Sequence, residues 1–247
     1  MDLLDVVRSR YTTKAYDPAK KIPQEQFERF LEILRFTPSS INIQPWHFFI
    51  AEHDAAKQRI AKALVGKYAY NAPKVLDSSH TILFCTKADI SDEHLDNLLQ
   101  QDDVSGRFKD ASAKQGQKDS RSGYVDYYRN EKGDIQRWAE NQTFIALGQM
   151  LLAAGIEGVD ATPIGGFNEQ ILTEELELQD KGLIPSVLLT EYAATQPARS
   201  ALETRSLVLP KIPFGNAVWI DGMPDDTALS VALEQVSLNG QRSWHIR

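Results

Sequence analysis

The chain predicts an α+β or α/β domain in which one sheet is covered on both faces by helices. Two observations carry this reading. Continuous apolar runs of strand length, Trp46 to Ala51, Thr81 to Cys85 and Ile184 to Tyr192, have the composition of strands buried on both sides. Around them lie segments whose apolar residues recur at steps of three and four, the spacing of amphipathic helices. The alternation of the two is what layered helix-and-sheet packing requires. At 247 residues, 42% hydrophobic and 25% charged, the chain is long enough to bury one substantial core, and a single globular domain is expected.

Taken in order, Leu3, Val6, Val7 and Arg10 predict a short helix that ends in Arg10. Pro23 suits the first turn of a second helix, whose apolar face is Phe27, Phe30, Leu31 and Leu34. Thr37-Pro38-Ser39-Ser40-Ile41-Asn42 then breaks that helix, with the composition either of a ligand-contacting loop or of a plain turn. Trp46 to Ala51 follows as a central strand, residues 54–66 as a helix, and Thr81 to Cys85 as a second central strand. Residues 89–132 are polar, with sparse apolar positions at Leu95, Leu98, Leu99, Phe108, Tyr124 and Tyr127, and predict a peripheral helical excursion. From Ile135 to Ala154 the pattern turns strongly apolar, with Trp138, Ile145, Leu147, Leu151 and Leu152 among small residues. This is the expected buried helix of the fold, and Gly155 is expected to end it. Ile156 to Ala161 leads to Thr162-Pro163-Ile164-Gly165-Gly166-Phe167, whose glycine pair marks a close backbone turn. Residues 168–178 resume as a helix before the last strand.

Composition removes several classes of function. A formal charge of -7 argues against a protein whose main partner is nucleic acid, so any anion must be held locally. Cys85 is the only cysteine and lies in an apolar run, as expected of a buried strand residue in a reducing compartment. No basic segment followed by an apolar one opens the chain, and no apolar stretch approaches the roughly 18 to 20 residues that span a bilayer, so the cytoplasm is the expected location and no membrane partner is expected. The five histidines are scattered without metal-ligand spacing, and no metal is expected. There is no GxSxG elbow, no phosphate-binding GxxxxGK[ST] loop and no GxGxxG after a strand. An organic cofactor is therefore the natural carrier of chemistry.

Two clusters stand out. Arg8, Arg10 and Lys14 form a basic group in an acidic chain: either a phosphate site, since arginine offers a bidentate fork and lysine a mobile point charge, or a solvated basic turn. Asn71 and Lys74 pair an amide with a cation three residues on, which suits the polar edge of a heterocycle.

Read together, Arg10-x-x-x-Lys14-Ala15-Tyr16-Asp17, Pro38-Ser39-Ser40-x-Asn42-x-Gln44-Pro45-Trp46, Asn71-x-x-Lys74, Asp77-x-Ser79-His80 and Asp160-Ala161-x-Pro163-Ile164-x-Gly166-Phe167 resemble the nitroreductase family, in its oxygen-insensitive NAD(P)H nitroreductase and dihydropteridine reductase branch. The resemblance runs from about residue 1 to 193. It implies an α+β fold with a central, mainly antiparallel sheet flanked by helices and an extensive helical dimer interface. It also implies bound FMN, with NADH or NADPH as electron donor. The segment Arg10-Tyr11-Thr12-Thr13-Lys14 would hold the flavin, with Arg10 on its phosphate, Thr12 beside the ribityl chain and Lys14 near the pyrimidine. Asn71 and Lys74 would face the pyrimidine edge. Gly165 and Gly166 match the turn whose backbone approaches flavin N5, although close relatives more often carry glutamate at the first of these two positions. Pro38, Ser39, Ser40 and Asn42 resemble a loop contributed by the partner subunit, so that an obligate homodimer shares two sites. Tyr68, Tyr70 and Tyr124 would line the pocket above the ring, and Arg107 resembles a residue associated with nicotinamide-nucleotide binding. The implied reaction is a ping-pong transfer through the flavin to small aromatic or quinone acceptors, with no side-chain acid or base.

Residues 1–195 then form the FMN-binding domain and residues 196–247 an atypical C-terminal extension. Family members finish with a Leu-Pro-Lys-Ser-Arg-like element whose cations complete the phosphate site, and this chain does not. Arg205 or Lys211 is the candidate replacement, with neither as the third possibility. Trp219 and Trp244 are candidate anchors for the tail. Two rival readings use similar flavin contacts: a dehalogenating or flavin-fragmenting enzyme of the same superfamily, and a flavin-binding storage or regulatory protein.

Overall fold

Four antiparallel strands, in the order β1-β2-β4-β3, make the central sheet. They are β1 (Trp46–Ala51), β2 (His80–Lys87), β3 (Val159–Ile164) and β4 (Leu183–Ala193). The computed structural model describes residues 2–193, 233–238 and 241–246. Among these are eight helices: α1 (Leu3–Ser9), α2 (Gln24–Arg35), α3 (Asp54–Ala61), α4 (Ala72–Leu76), α5 (Asp92–Val104), α6 (Ala111–Asp126), α7 (Ile135–Ile156) and α8 (Glu169–Leu176). The chain divides into two units, residues 1–197 and 198–247. Within the second, Leu233–Leu238 pairs antiparallel with Gln241–Ile246.

Alternation along β2 and β4 makes the sheet two-sided. Ile82, Phe84, Val187 and Leu189 face one layer, where Phe27, Phe30 and Leu34 of α2 meet Ala146, Met150 and Ala154 of α7. Leu83, Cys85 and Leu188 face the other, against Ile60 of α3, Val75 of α4 and Leu172 of α8. Each fully buried side chain of this size stabilises the fold by roughly 1.5–3 kcal/mol, so the sheet's two faces dominate stability. A third cluster, Ile43, Ile90, Leu95, Val125 and Trp138, joins the excursion helices α5 and α6 to the first part of α7.

Several expectations change in detail. Trp46 to Ala51 is an edge strand, with His47 and Ile50 exposed, where the apolar run suggested a central one. A strand, β3, occupies the region expected to be a connector; it lies at the opposite edge, a position in a sheet where a proline such as Pro163 is tolerated. The helix expected over residues 54–66 stops at Ala61, and a 3-10 turn over Gly66–Asn71 follows, entered through Gly66 at φ +57°. Gly155 does not end α7. It lies inside the helix where α1 crosses, and a Cβ there would come within 2.8 Å of Val6 Cγ1.

Candidate active site

Arg10 caps the C-terminus of α1, its backbone N–H donating to the Val6 carbonyl, and its side-chain stem runs along Gly155 of α7. The chain then passes over the face of β3. Here the Tyr16 hydroxyl lies 2.6 Å from the Thr13 carbonyl and 2.8 Å from the Thr162 hydroxyl, which itself lies 3.1 Å from the same carbonyl. These bonds fix the backbone of residues 13–16 on the sheet edge. Thr13 is buried, Arg10, Tyr11 and Thr12 are half-buried, and Lys14 is exposed.

The 3-10 turn and α4 approach the same place from the other direction. Buried Asn71 donates from Nδ2 to the Gly166 carbonyl at 3.0 Å and accepts from Lys74 Nζ at Oδ1, at 2.7 Å. The two contacts fix which end of the amide is which. A Cβ on Gly166 would meet Asn71 Nδ2 and Tyr68 at 3.1 Å, and the Tyr70 hydroxyl at 3.5 Å, so a larger residue would push these side chains away from the turn after β3. Lys74 lies over the Tyr70 ring, 5.0 Å from its centroid. Burial, and then the neighbouring Lys14 ammonium, hold the Lys74 amine below the usual lysine range. Two cations, an amide with both ends assigned and an exposed Gly165 thus converge at one edge of the sheet.

Comparison with known proteins decides what this arrangement belongs to. Residues 7–189 match the model of the Nitroreductase family. The chain is 38% identical over 189 residues to an oxygen-insensitive NAD(P)H nitroreductase of Enterobacter cloacae, covering 76% of this chain and 87% of that one. The chain belongs to the nitroreductase family. It is also 32% identical over 206 residues to the major NAD(P)H-flavin oxidoreductase of Aliivibrio fischeri, covering 80% of this chain and 94% of that one. The fold superposes with TM-score 0.67, at 23% identity, on an Exiguobacterium sibiricum protein crystallised in complex with FMN, covering 79% of this chain and 90% of that one.

Against a nitroreductase flavin, the donor set is chemically apt. Asn71 and the lysines suit the polar edge of a heterocycle that becomes negative on reduction, and the missing Cβ of Gly166 lets Asn71, Tyr68 and Tyr70 pack against the turn. Other expected residues lie elsewhere in this chain. Ser39 accepts from the Gln44 N–H at 3.1 Å, and the Ser40 N–H donates to Gln142 of α7 at 2.9 Å. Pro38 is exposed, and Asn42 has a left-handed backbone at φ 54°. Tyr124, on α6, lines a surface hollow with Asp119, Ser120, Gly123 and Tyr127. Arg107 is exposed and pairs with Asp102 at 3.1 Å. Arg205, Lys211 and Trp219 lie outside the described residues, and of Trp244 only its strand is described.

Sequence reasoning gave no role to Gln142, Thr162, Asp102 or Arg121. Gln142 left no signal of its own, since it lies beside Glu140, Asn141 and Thr143 in the mixed first half of α7, and it proves buried. Among the described residues, no helix is long and apolar enough to cross a membrane.

Proposed function

We propose that this nitroreductase is an FMN-dependent oxidoreductase that draws electrons from NADH or NADPH and delivers them to nitroaromatics, quinones or related heterocycles. The convergence of Lys14, Asn71 and Lys74 on the Gly165-Gly166 turn carries the reading. In it, Arg10 takes the flavin phosphate, with Tyr11, Thr12 and Thr13 along the ribityl chain. Lys14, Asn71 and Lys74 hold the pyrimidine edge, where their charge and hydrogen bonds favour the reduced, negative form. Tyr68 and Tyr70 wall the space above the ring. Bound there, FMN supplies the two-electron chemistry, and the chain's side chains bind, orient and exclude water.

The reading includes a homodimer with two shared sites, in which Pro38, Ser39, Ser40 and Asn42 of one subunit complete the site of the other. The layout of α7 supports it. The loop is anchored at Gln142 and Arg10 at Gly155, thirteen residues apart on one helix, or about 20 Å. A separation of that length favours a loop that serves the flavin of a second subunit. Tyr124 and Arg107, on the arm that carries the loop, then reach the pocket from the partner. We place the enzyme in the cytoplasm, where its fully buried Cys85, with a thiol pushed up to about 12 by burial, has no redox part to play.

The test is an absorption spectrum of the purified protein followed by NADH and NADPH titration, with menadione or nitrofurazone as acceptor. Yellow protein that bleaches with donor and recovers with acceptor is expected. Colourless protein that stays apo with added FMN overturns the reading.

A further inference from the structure

Residues 40–43 are held in an unusual way. The Ser40 N–H donates to Gln142 Oε1 of α7 at 2.9 Å, and the Ile41 carbonyl accepts from Arg121 Nε of α6 at 3.0 Å. The Asn42 amide reaches Asp102 Oδ1 of α5 at 3.4 Å, and the Ile43 carbonyl lies 2.7 Å from His94 Nε2, also on α5. Four consecutive residues are thus gripped by four side chains from three helices. The grip has something to hold, because Ile41, Asn42 and Gln44 all have left-handed backbones, at φ 49°, 54° and 44°. A β-branched residue rarely adopts that conformation without outside support.

The centre of the grip is a buried ion pair. Arg121 is 1% exposed and bonds Asp102 Oδ2 at 2.5 Å. The helices that carry the pair also supply Leu95 and Val125 to a buried apolar cluster with Ile43, Ile90 and Trp138. Stability alone does not explain charge in such a place, since replacing a buried pair with well-packed apolar residues is commonly neutral or stabilising. What a guanidinium adds is a rigid planar fork that spans α5 and the loop backbone at once.

We infer that the Asp102–Arg121 pair is a positioning device that presents residues 39–44 to the flavin of the second subunit. The polar excursion of α5 and α6 is, on this view, the loop's mount. The inference rests on the reading that the loop completes the partner's site, and it assigns Asp102 and Arg121 to positioning, since both act through Ile41 and Asn42 of the loop.

The experiment compares full-length D102L/R121M, R121K and S40E with the parent, by FMN fluorescence quenching and thermal denaturation. D102L/R121M is expected to keep or raise the unfolding temperature while its FMN Kd rises about tenfold or more. R121K retains the charge but cannot span both partners, and it should weaken FMN binding in the same direction. A purely structural role would tie affinity to stability. Mixed dimers settle where the effect is felt. With K74A in one subunit and D102L/R121M in the other, one site per dimer collects both defects and the other is intact, so half the FMN should bind with parental affinity. If every site is weakened, the pair acts within its own subunit, and the inference is overturned. Should D102L/R121M fail to fold, R121K takes its place in the mixed dimer. Parental affinity in both pair variants, with S40E weakened, overturns the inference and leaves the shared-site reading standing. Parental affinity in S40E as well overturns that reading.

Discussion

At the scale of single residues, Gly166 makes the sharpest demand on the site. A methyl group there would press on Asn71 Nδ2 and Tyr68 at 3.1 Å, and Asn71 in turn orients Lys74 through its Oδ1. Gly166→Ala is therefore expected to raise the FMN Kd about tenfold while changing stability little. Parental affinity in that variant removes the close approach from the binding argument. A second residue-scale effect lies away from the site. Glu191 is buried with neither carboxyl oxygen hydrogen-bonded among the described residues, and burial pushes its carboxyl up to about 8. His80, its neighbour across β2 and β4, is pushed down to about 4, mainly by burial. The folded chain keeps the Glu191 proton up to about pH 8, whereas the unfolded chain loses it near 4.5, so stability falls as pH rises through that window. The folded chain keeps His80 neutral down to about pH 4, whereas the unfolded chain gains a proton below 6.5, so stability falls as pH falls through that window. The two oppose each other between 4.5 and 6.5, and above 6.5 Glu191 acts alone. The unfolding free energy of the parent should decline from pH 6.5 to 8 by about 2 kcal/mol, and that of Glu191→Gln should be nearly flat there. Parallel profiles would falsify the assignment.

At the scale of elements, what could be read in advance depended on how far the deciding contact lay along the chain. The strands β2 and β4 and the helices α2 and α7 carry their burial in their own periodicity, and the layered α+β class followed from them. The two edges did not. Trp46, Phe48 and Phe49 give β1 the apolar density of a central strand although it pairs on one side only, and Asp160, Thr162 and Pro163 dilute β3 until it resembles a connector. Arg10, Lys14, Asn71 and Lys74 stood out as candidates because each pair lies within a few residues. Asp102 and Arg121 sit in a polar stretch indistinguishable from a solvated face, and only the fold brings them to Asn42 and Ile41. Gly155 was misread for the same reason, since nothing local tells that α1 crosses there. That crossing is testable. Ala is favoured over Gly in a helix interior by about 1 kcal/mol, whereas overpacking a buried contact costs roughly 1–3 kcal/mol. With Val6 Cγ1 2.8 Å from the new methyl, the clash should win, so Gly155→Ala is expected to destabilise the protein, with Val6→Ala in the same chain restoring part of the loss. A Gly155→Ala chain that melts higher than its parent shows that α1 gives way freely.

At the scale of the whole molecule, one chain leaves an apolar surface that a folded protein rarely exposes to water. On α7, Phe144 and Ile145 are each 45% exposed, Gly148 is open, and Leu151 and Leu152 are half-buried. The packed α1 adds Leu3, Leu4 and Val7, all exposed. Exposed apolar side chains gathered on two packed helices mark association surfaces, and here they lie on the helix that separates the loop from the Arg10 segment and on α1 beside it. On the proposed shared-site reading, cover and function belong to one event: a second subunit that buries this face also brings its own loop towards the site that needs it. A glutamate at position 144 would have to be buried without a partner on association, a penalty of several kcal/mol, while remaining solvated in the separate chain. Phe144→Glu is accordingly expected to sediment as a monomer with its secondary structure retained, and to bind FMN more than about tenfold more weakly than the parent because each site has lost its second wall. A dimeric Phe144→Glu protein would mean that the interface lies elsewhere. A monomer with parental FMN affinity would mean that each chain holds its flavin alone, and the division of the site between the two ends of α7 would then need another explanation.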